Sequence, residues 1–157
     1  MTSIVIDTSY ISFRAVQLQK VADLYADSLE CLAFYRFPKL PMSRHYNERI
    51  DCELIHLCKS CYGLKTLIVR DLISTATLLI IVTYARHLTK LVVRRNALRK
   101  RFDCVPDPNW SKSFVQWLRR TSRSYEDTFR EVSQKLGHHW SPLNDEQFKR
   151  VSPNVTF

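Results

Sequence analysis

Residues 114–142 read FVQWLRRTSRSYEDTFREVSQKLGHHWSP and contain the clearest periodic pattern in the chain. Six apolar side chains recur there at steps of three, four and seven, which places them on one stripe of a helix. They are Phe114, Leu118, Tyr125, Phe129, Val132 and Leu136. Gly137 then favours a helix C-terminus, and Ser141 with Pro142 favours a new N-terminus. The segment predicts one long amphipathic helix, a stop and a short helix.

Before this segment, the charge of the chain is concentrated in residues 70–101. The 157 residues have a formal net charge of +9, yet residues 1–69 and 102–157 each contain 8 basic and 7 acidic side chains. Residues 70–101 contain 8 basic side chains against the single Asp71. Most of the basic ones form a predicted patch: Arg86, Lys90, Arg94, Arg95, Arg99, Lys100 and Arg101. This concentration indicates contact with an anionic membrane surface or an acidic partner, or else a solvated face.

The patch follows the most apolar run of the chain, residues 72–85, LISTATLLIIVTYA. This run has no charged residue, but it is shorter than the roughly 20 residues that span a bilayer. It predicts a central buried helix. The alternative is a membrane span, which would extend the run back to Leu67.

The N-terminal part predicts two further helices, over residues 12–34 and 43–62, with Gly63 closing the second. Residues 3–9 predict a short strand that ends in Asp-Thr-Ser and is similar to the opening of PIN-domain nucleases. The first aspartate of those enzymes, Asp7 here, binds a metal together with further carboxylates. No later strand delivers such a carboxylate, so a chance match is the preferred interpretation.

The cysteines do not predict a metal site or a disulfide framework. There are 5, an odd and irregularly spaced set, and Cys58 and Cys61 form a lone CxxC. Cys52 and His56 share one helical face while Cys58 lies on another, so one helix cannot supply a tetrahedral zinc site. Structural thiols in a reducing cytosolic setting fit better, since no signal peptide is present. With only 2 glycines, a phosphate-binding loop or dinucleotide cofactor is not expected.

Two segments together resemble a known family. Residues 70–88 are similar to the first helix of the Bcl (B-cell lymphoma) apoptosis regulators, most like the Bok-type members. Residues 125–136 resemble the end of the helix that bears the third homology motif, and residues 139–142 resemble the turn after it. Arg119, or Arg123 in an alternative frame, stands where that motif has an aspartate. The chain ends before the family's Asn-Trp-Gly-Arg motif, which indicates a truncated first half.

The resemblance implies an all-α, partial Bcl-like helical bundle of about four to five helices. Residues 66–157 would form it, and residues 1–65 would be a helical N-terminal extension. It also implies a non-enzymatic regulator of apoptosis that binds Bcl-family partners, as a homo- or heterodimer, by placing a helix in a groove. The six apolar side chains of residues 114–136 would be the anchors. The expected location is the cytoplasm, at the surface of the mitochondrial outer membrane or the endoplasmic reticulum.

The alternative function is a small basic membrane-associated accessory protein, anchored by residues 67–85. Nucleic-acid binding is a weaker alternative, because no aromatic residues are interleaved with the basic ones. An enzyme is least expected, since no nucleophile–base pair or carboxylate constellation is visible. No metal or cofactor is predicted.

Overall fold

The computed structural model of the protein describes residues 2–7, 15–35, 49–104 and 106–151. These residues form a mixed α/β structure with a four-stranded parallel sheet and a small two-stranded sheet. The elements are β1 (Thr2–Asp7), α1 (Ala15–Tyr25), β2 (Leu29–Tyr35), α2 (Asp51–Ser60), β3 (Thr66–Val69), β4 (Ile73–Ser74), α3 (Thr75–Tyr84), β5 (Lys90–Val93), β6 (Leu98–Arg99), α4 (Lys112–Thr121), α5 (Tyr125–Leu136) and α6 (Asp145–Lys149). The prediction of an all-α, Bcl-like helical bundle with a helical N-terminal extension is therefore wrong.

The main sheet places successive strands side by side, in the order β1-β2-β3-β5. Parallel strands need crossover connections, and right-handed crossovers in one direction put the helices on one face of the sheet. The packing agrees, because Leu32, Leu67 and Leu91 share one core with side chains of α1 to α5. Strands on both sides of residue 65 belong to this sheet. Stacked strand–helix units of this kind are the arrangement of a solenoid, in which each unit contacts mainly its neighbours.

The opposite face of the sheet is covered by α6. Leu143, two residues before this helix, continues the sheet, because its N–H donates to the carbonyl oxygen of Val93 at 2.9 Å. The chain then folds back, and Phe148 packs against the strand side chains that point away from the main core. These are Cys31, Ala33, Tyr35 and Ile68. Both faces of the central strands are thereby buried.

Burial on both faces explains why β2 was predicted as the second half of a helix. In the sequence LECLAFY only Glu30 is not buried, so the strand shows no alternation of polar and apolar residues. A short apolar run of this kind cannot be separated from a buried helix by periodicity alone. Of the predicted helix over residues 12–34, Ala15–Tyr25 is helical, and residues 12–14 lie outside the described part.

The predicted first Bcl-like helix, residues 70–88, is divided into β4 and α3. Ser74 makes the division, because its Oγ accepts the Thr77 N–H at 3.1 Å and caps α3. Residues 75–82 of α3 are all buried. The central buried helix predicted for residues 72–85 is therefore confirmed over Thr75–Tyr84. Among the described residues, no helix is both long and apolar enough to cross a membrane.

The long helix predicted from the opening stretch is two helices, α4 and α5, separated by residues 122–124. Ser111 caps α4, as its position suggests, and Ser124 caps α5 by accepting the Asp127 N–H at 3.2 Å. The Thr128 hydroxyl donates to the carbonyl oxygen of Thr121 at 3.1 Å and holds the two helices together at the break. A cap signal inside an amphipathic pattern therefore outweighed its periodicity.

Two other helix boundaries also differ from the prediction. α2 begins at Asp51, and residues 43–48 of the predicted helix 43–62 lie outside the described part. α6 begins after Asn144 rather than at Ser141 and Pro142. Asn144 and Gln147 form a capping box, in which each side chain accepts the other's backbone N–H, at 2.8 and 3.0 Å. The strand predicted at residues 3–9 is confirmed over residues 3–7 as part of β1, and residues 8 and 9 lie outside the described part.

Gly137 ends α5 in the left-handed conformation, with φ of 75°, as predicted for a helix C-terminus. We expect Gly137→Ala to lower the free energy of unfolding by about 1 kcal/mol, because a Cβ is disfavoured at this φ. Gly63→Ala is the matched control, since its Cβ would lie at an ordinary contact distance, 3.7 Å, from the Leu29 carbonyl oxygen. Urea denaturation followed by circular dichroism measures both. Equal losses in the two variants would contradict the expectation.

Candidate protein interface

The six predicted partner-binding side chains face the protein's own core. Leu118 and Val132 are completely buried, and Phe114, Tyr125, Phe129 and Leu136 are half-buried against the main core. The Phe129 ring lies 5.6 Å from the ring of buried Trp140. Their role as anchors for a partner stays a prediction. In this structure the same side chains pack α4 and α5 against the main core.

The residues of the predicted basic patch lie at the two ends of strand β5. Arg86 and Lys90 lie before and at the start of β5, and the other five residues follow this strand. Arg94 is half-buried, donates to Asp145 Oδ1 at 3.3 Å and to the Arg70 carbonyl oxygen at 3.1 Å, and so ties α6 to the sheet. Arg95, Arg99, Lys100 and Arg101 are exposed.

These four exposed residues meet the turn between α4 and α5, and Thr75 joins the two segments. The Thr75 hydroxyl donates to the Ser122 carbonyl oxygen at 2.6 Å, and its oxygen accepts the Arg101 N–H at 3.2 Å. Arg123 follows Ser122 directly, and Arg119 lies one helical turn earlier. We define the basic cluster as Arg95, Arg99, Lys100, Arg101, Arg119 and Arg123.

Aromatic rings support three members of the basic cluster. The Arg95 guanidinium carbon lies 4.1 Å from the centroid of the Tyr125 ring, and Lys100 Nζ lies 5.6 Å from the same centroid. The Arg119 guanidinium carbon lies 5.1 Å from the Phe102 ring. Such cation–π contacts hold a cation over a ring face, and the planar guanidinium keeps its N–H donors for other partners. The side chains are therefore partly preorganised.

The positive charge of the basic cluster is not compensated. Within the described ranges, none of its six side chains forms an ion pair, and three acidic residues of the surrounding segments pair with other cations. Asp145 pairs with Arg94, Asp127 with Arg130, and Asp103 with Arg49. Glu126 is exposed and pairs with no described residue. The result is an exposed surface with strong positive potential.

A buried carboxylate, Asp51, holds the start of α3 on which the basic cluster depends. Asp51 Oδ1 accepts the Ser74 N–H at 2.9 Å and the Thr77 hydroxyl at 2.5 Å, and Oδ2 accepts Arg49 Nε at 2.8 Å. Arg49 also donates to Asp103, and this hydrogen bond lowers the pKa of the Asp103 carboxyl. The network connects the start of α2, the start of α3 and the segment after β6.

Sequence reasoning assigned neither Arg119 nor Arg123 to this site. Both stand on the polar side of an amphipathic pattern, which looks like an ordinary solvated face. Their proximity to residues 95–101 depends on Thr75, far away in the chain. The signal that could have found them is the Ser124 cap, which marks the break between α4 and α5 at residues 122–124.

The cysteines form no metal site in the described part of the chain, where no group of three or more His, Cys, Asp or Glu side chains could hold an ion. Cys31, Cys58 and Cys61 are buried, Cys104 is half-buried and Cys52 is exposed. Burial raises the pKa of Cys58 and raises that of Cys61 to about 11. The expectation of structural thiols is met by the buried ones. The Asp7 side chain, on which the nuclease-like motif depends, lies outside the description.

We expect an aromatic disulfide reagent to label Cys52 first and Cys104 more slowly, at about pH 8, because attack requires an accessible thiolate. Cys31, Cys58 and Cys61 should react only after denaturation. Mass spectrometry of peptides from a time course identifies each labelled residue. Rapid labelling of Cys58 or Cys61 in the native protein would contradict their burial.

No protein family matches the sequence, and no curated protein is significantly similar to it. The inference of function therefore depends on the geometry and charge described above.

Proposed function

We propose that this protein is a non-enzymatic protein-binding module, and that the basic cluster binds an acidic segment of its partner. The single observation that carries the proposal is the set of six exposed cationic side chains that form no ion pair within the described residues. A surface with this charge attracts an acidic partner over a distance of about 8–10 Å at physiological ionic strength. It also raises the rate of association.

The side-chain types favour carboxylates as the recognised groups. Five of the six residues are arginines, whose planar donors bind carboxylates in a bidentate way that lysine cannot reproduce. Nucleic-acid binding is less favoured, because the Tyr125 and Phe102 ring faces that could stack on bases already carry cations.

A membrane surface is less favoured because, among the described residues, the large exposed apolar side chains lie elsewhere. They are Val5, Leu24, Tyr25 and Tyr62. Peripheral membrane binding generally combines basic side chains with apolar ones that enter the lipid. The predicted apolar anchor, residues 67–85, is divided among β3, β4 and α3 and contributes mainly to the core.

The proposal keeps protein binding from the sequence-based hypothesis and changes the surface that performs it. Regulation of apoptosis, Bcl-family partners and a location at mitochondria stay predictions. They were implied by a family whose helical bundle this chain does not form. The new proposal requires no groove and no donated helix.

The test uses a fluorescent peptide of alternating glutamate and serine, with a glutamine peptide of the same length as the uncharged counterpart. We expect Arg101→Glu/Arg123→Glu to weaken binding of the acidic peptide by at least about tenfold, measured by fluorescence anisotropy. Both side chains are exposed and support no ring, so the fold should be unaffected. Lys20→Glu/Lys135→Glu makes the same change in net charge on α1 and α5, away from the basic cluster, and should alter binding by less than about twofold.

Equal weakening in both double variants would mean that only net charge matters and would contradict a localised site. A single-stranded oligonucleotide or anionic vesicles bound more tightly than the acidic peptide, with the same dependence on Arg101 and Arg123, would replace the proposal by another class of partner. Equal binding of the glutamine peptide would also overturn it.

A further inference from the structure

A separate cavity lies between the C-terminal ends of α2 and α3. It is near the N-terminal ends of β3 and β5, whereas the basic cluster follows the C-terminal end of β5. Its volume is about 370 Å³, and it is lined by Lys59, Tyr62, Tyr84, Arg86 and His87. Pockets of about 300–1,000 Å³ are typical for small molecules. The cavity combines two aromatic rings with three basic side chains, and the proposed partner-binding surface uses none of them.

One wall of the cavity is fixed by hydrogen bonds and ring contacts. Trp110 Nε1 donates to the Tyr84 hydroxyl oxygen at 2.6 Å, so the segment before α4 holds the Tyr84 ring in place. Lys59 Nζ lies 4.8 Å from the centroid of that ring and pairs with Asp107 Oδ2 at 2.7 Å. Asp107 thus compensates the charge of Lys59, whose main role is to support the wall.

The other side of the cavity has groups without partners. Tyr62 is 74% exposed, although it is a large aromatic side chain on the turn that follows α2. Arg86 and His87 are exposed on the turn after α3, and neither side chain forms a hydrogen bond or ion pair within the described residues. The exposed Tyr62 ring and the Arg86 guanidinium, which has no partner among the described residues, therefore border the same cavity.

We propose that this cavity binds a small aromatic anion, a planar ring that carries a phosphate. The ring would stack on the exposed ring of Tyr62, because one face of the Tyr84 ring already carries Lys59, and Tyr84 would border the ligand from the other wall of the cavity. The phosphate would accept hydrogen bonds from Arg86, whose donors fit two of its oxygens, and from His87. Binding at this site does not depend on the proposed partner or on the basic cluster.

Two free ligands supply this chemistry, adenosine monophosphate and N-acetyl-phosphotyrosine amide, which represent nucleotides and phosphorylated peptides. Binding is measured by calorimetry and by changes in the aromatic NMR signals of Tyr62 and Tyr84. N-acetyl-tyrosine amide and inorganic phosphate separate the contributions of ring and anion. We expect at least one aromatic phosphate to bind about tenfold more tightly than either fragment.

Arg86→Ala/His87→Ala and Tyr62→Ala should each weaken binding of that ligand by about tenfold, because each removes one half of the site. All three side chains are exposed, so the variants should fold normally, which circular dichroism checks. Arg120→Ala is the matched control on the surface of α4 and should bind like the unchanged protein. Inorganic phosphate bound as tightly as the aromatic phosphates would overturn the proposal. Equal binding by all variants, or no change in the tyrosine signals with any ligand, would also overturn it.

Discussion

Replacing Phe148 by alanine is expected to lower the free energy of unfolding by about 3–5 kcal/mol, the usual cost of removing a fully buried aromatic side chain. Phe148 is only 2% exposed and is the one large side chain that α6 places on the sheet face opposite the main core. A five-residue helix has little stability of its own, so its attachment depends on this contact and on the Arg94–Asp145 pair. The substitution should release α6 and expose the face of β2 and β3.

Urea denaturation measures this loss, and hydrogen exchange at β2 and β3 shows whether the uncovered face becomes less protected. Leu24→Ala is the control, because Leu24 is a large apolar side chain that is 74% exposed and should contribute less than about 0.5 kcal/mol. A loss below about 1 kcal/mol for Phe148→Ala would contradict the packing of α6 on the sheet, since full burial of such a ring is worth more than this.

Replacing Asp51 by alanine is expected to cost about 3 kcal/mol, because removal of one partner leaves a buried network unsatisfied. The Ser74 N–H and the Thr77 hydroxyl would lose this acceptor, and the Arg49 guanidinium would keep only Asp103. Arg49 is 27% exposed and can recover some hydration, so the loss should lie at the lower end of the range for buried pairs. The start of α3 should loosen, and with it the contact of Thr75 with the basic cluster.

Asp103→Ala is the matched control for this prediction. Asp103 binds the same arginine but is 31% exposed, so its loss should cost no more than about 1 kcal/mol. Urea denaturation compares the two variants, and the acidic-peptide assay shows whether Asp51→Ala also weakens binding while the protein remains folded. Similar stability losses for both would show that Arg49, and not the buried acceptor, is the important member of the network.

Local signals in the sequence predicted local structure well. Gly137 closes a helix, and residues 75–82 are buried as their lack of charge indicates. Caps and helical hydrogen bonds join residues within about four positions, so their determinants lie in one short segment. Strand β2 was predicted as helix, because it is buried on both faces and its sequence shows no alternation of polar and apolar residues.

The site was predictable in its charge but not in its composition. Residues 70–101 contain the basic excess, and four members of the basic cluster come from it. The other two, Arg119 and Arg123, join them only because Thr75 binds both Arg101 and Ser122. Tyr125 and Phe129 belonged to the predicted partner-binding stripe, yet in the fold they support Arg95.

By itself, the sequence determined where α5 ends, which run is most deeply buried and which segment carries the positive charge. Only the tertiary structure decided that the short apolar runs are parallel strands, because a strand makes its hydrogen bonds with distant residues, as Leu32 does in its pairing with Leu67. It also decided which cations lack a partner. The physical reason is the same in both cases: strand pairing and charge compensation depend on neighbours that the chain brings together only when it folds.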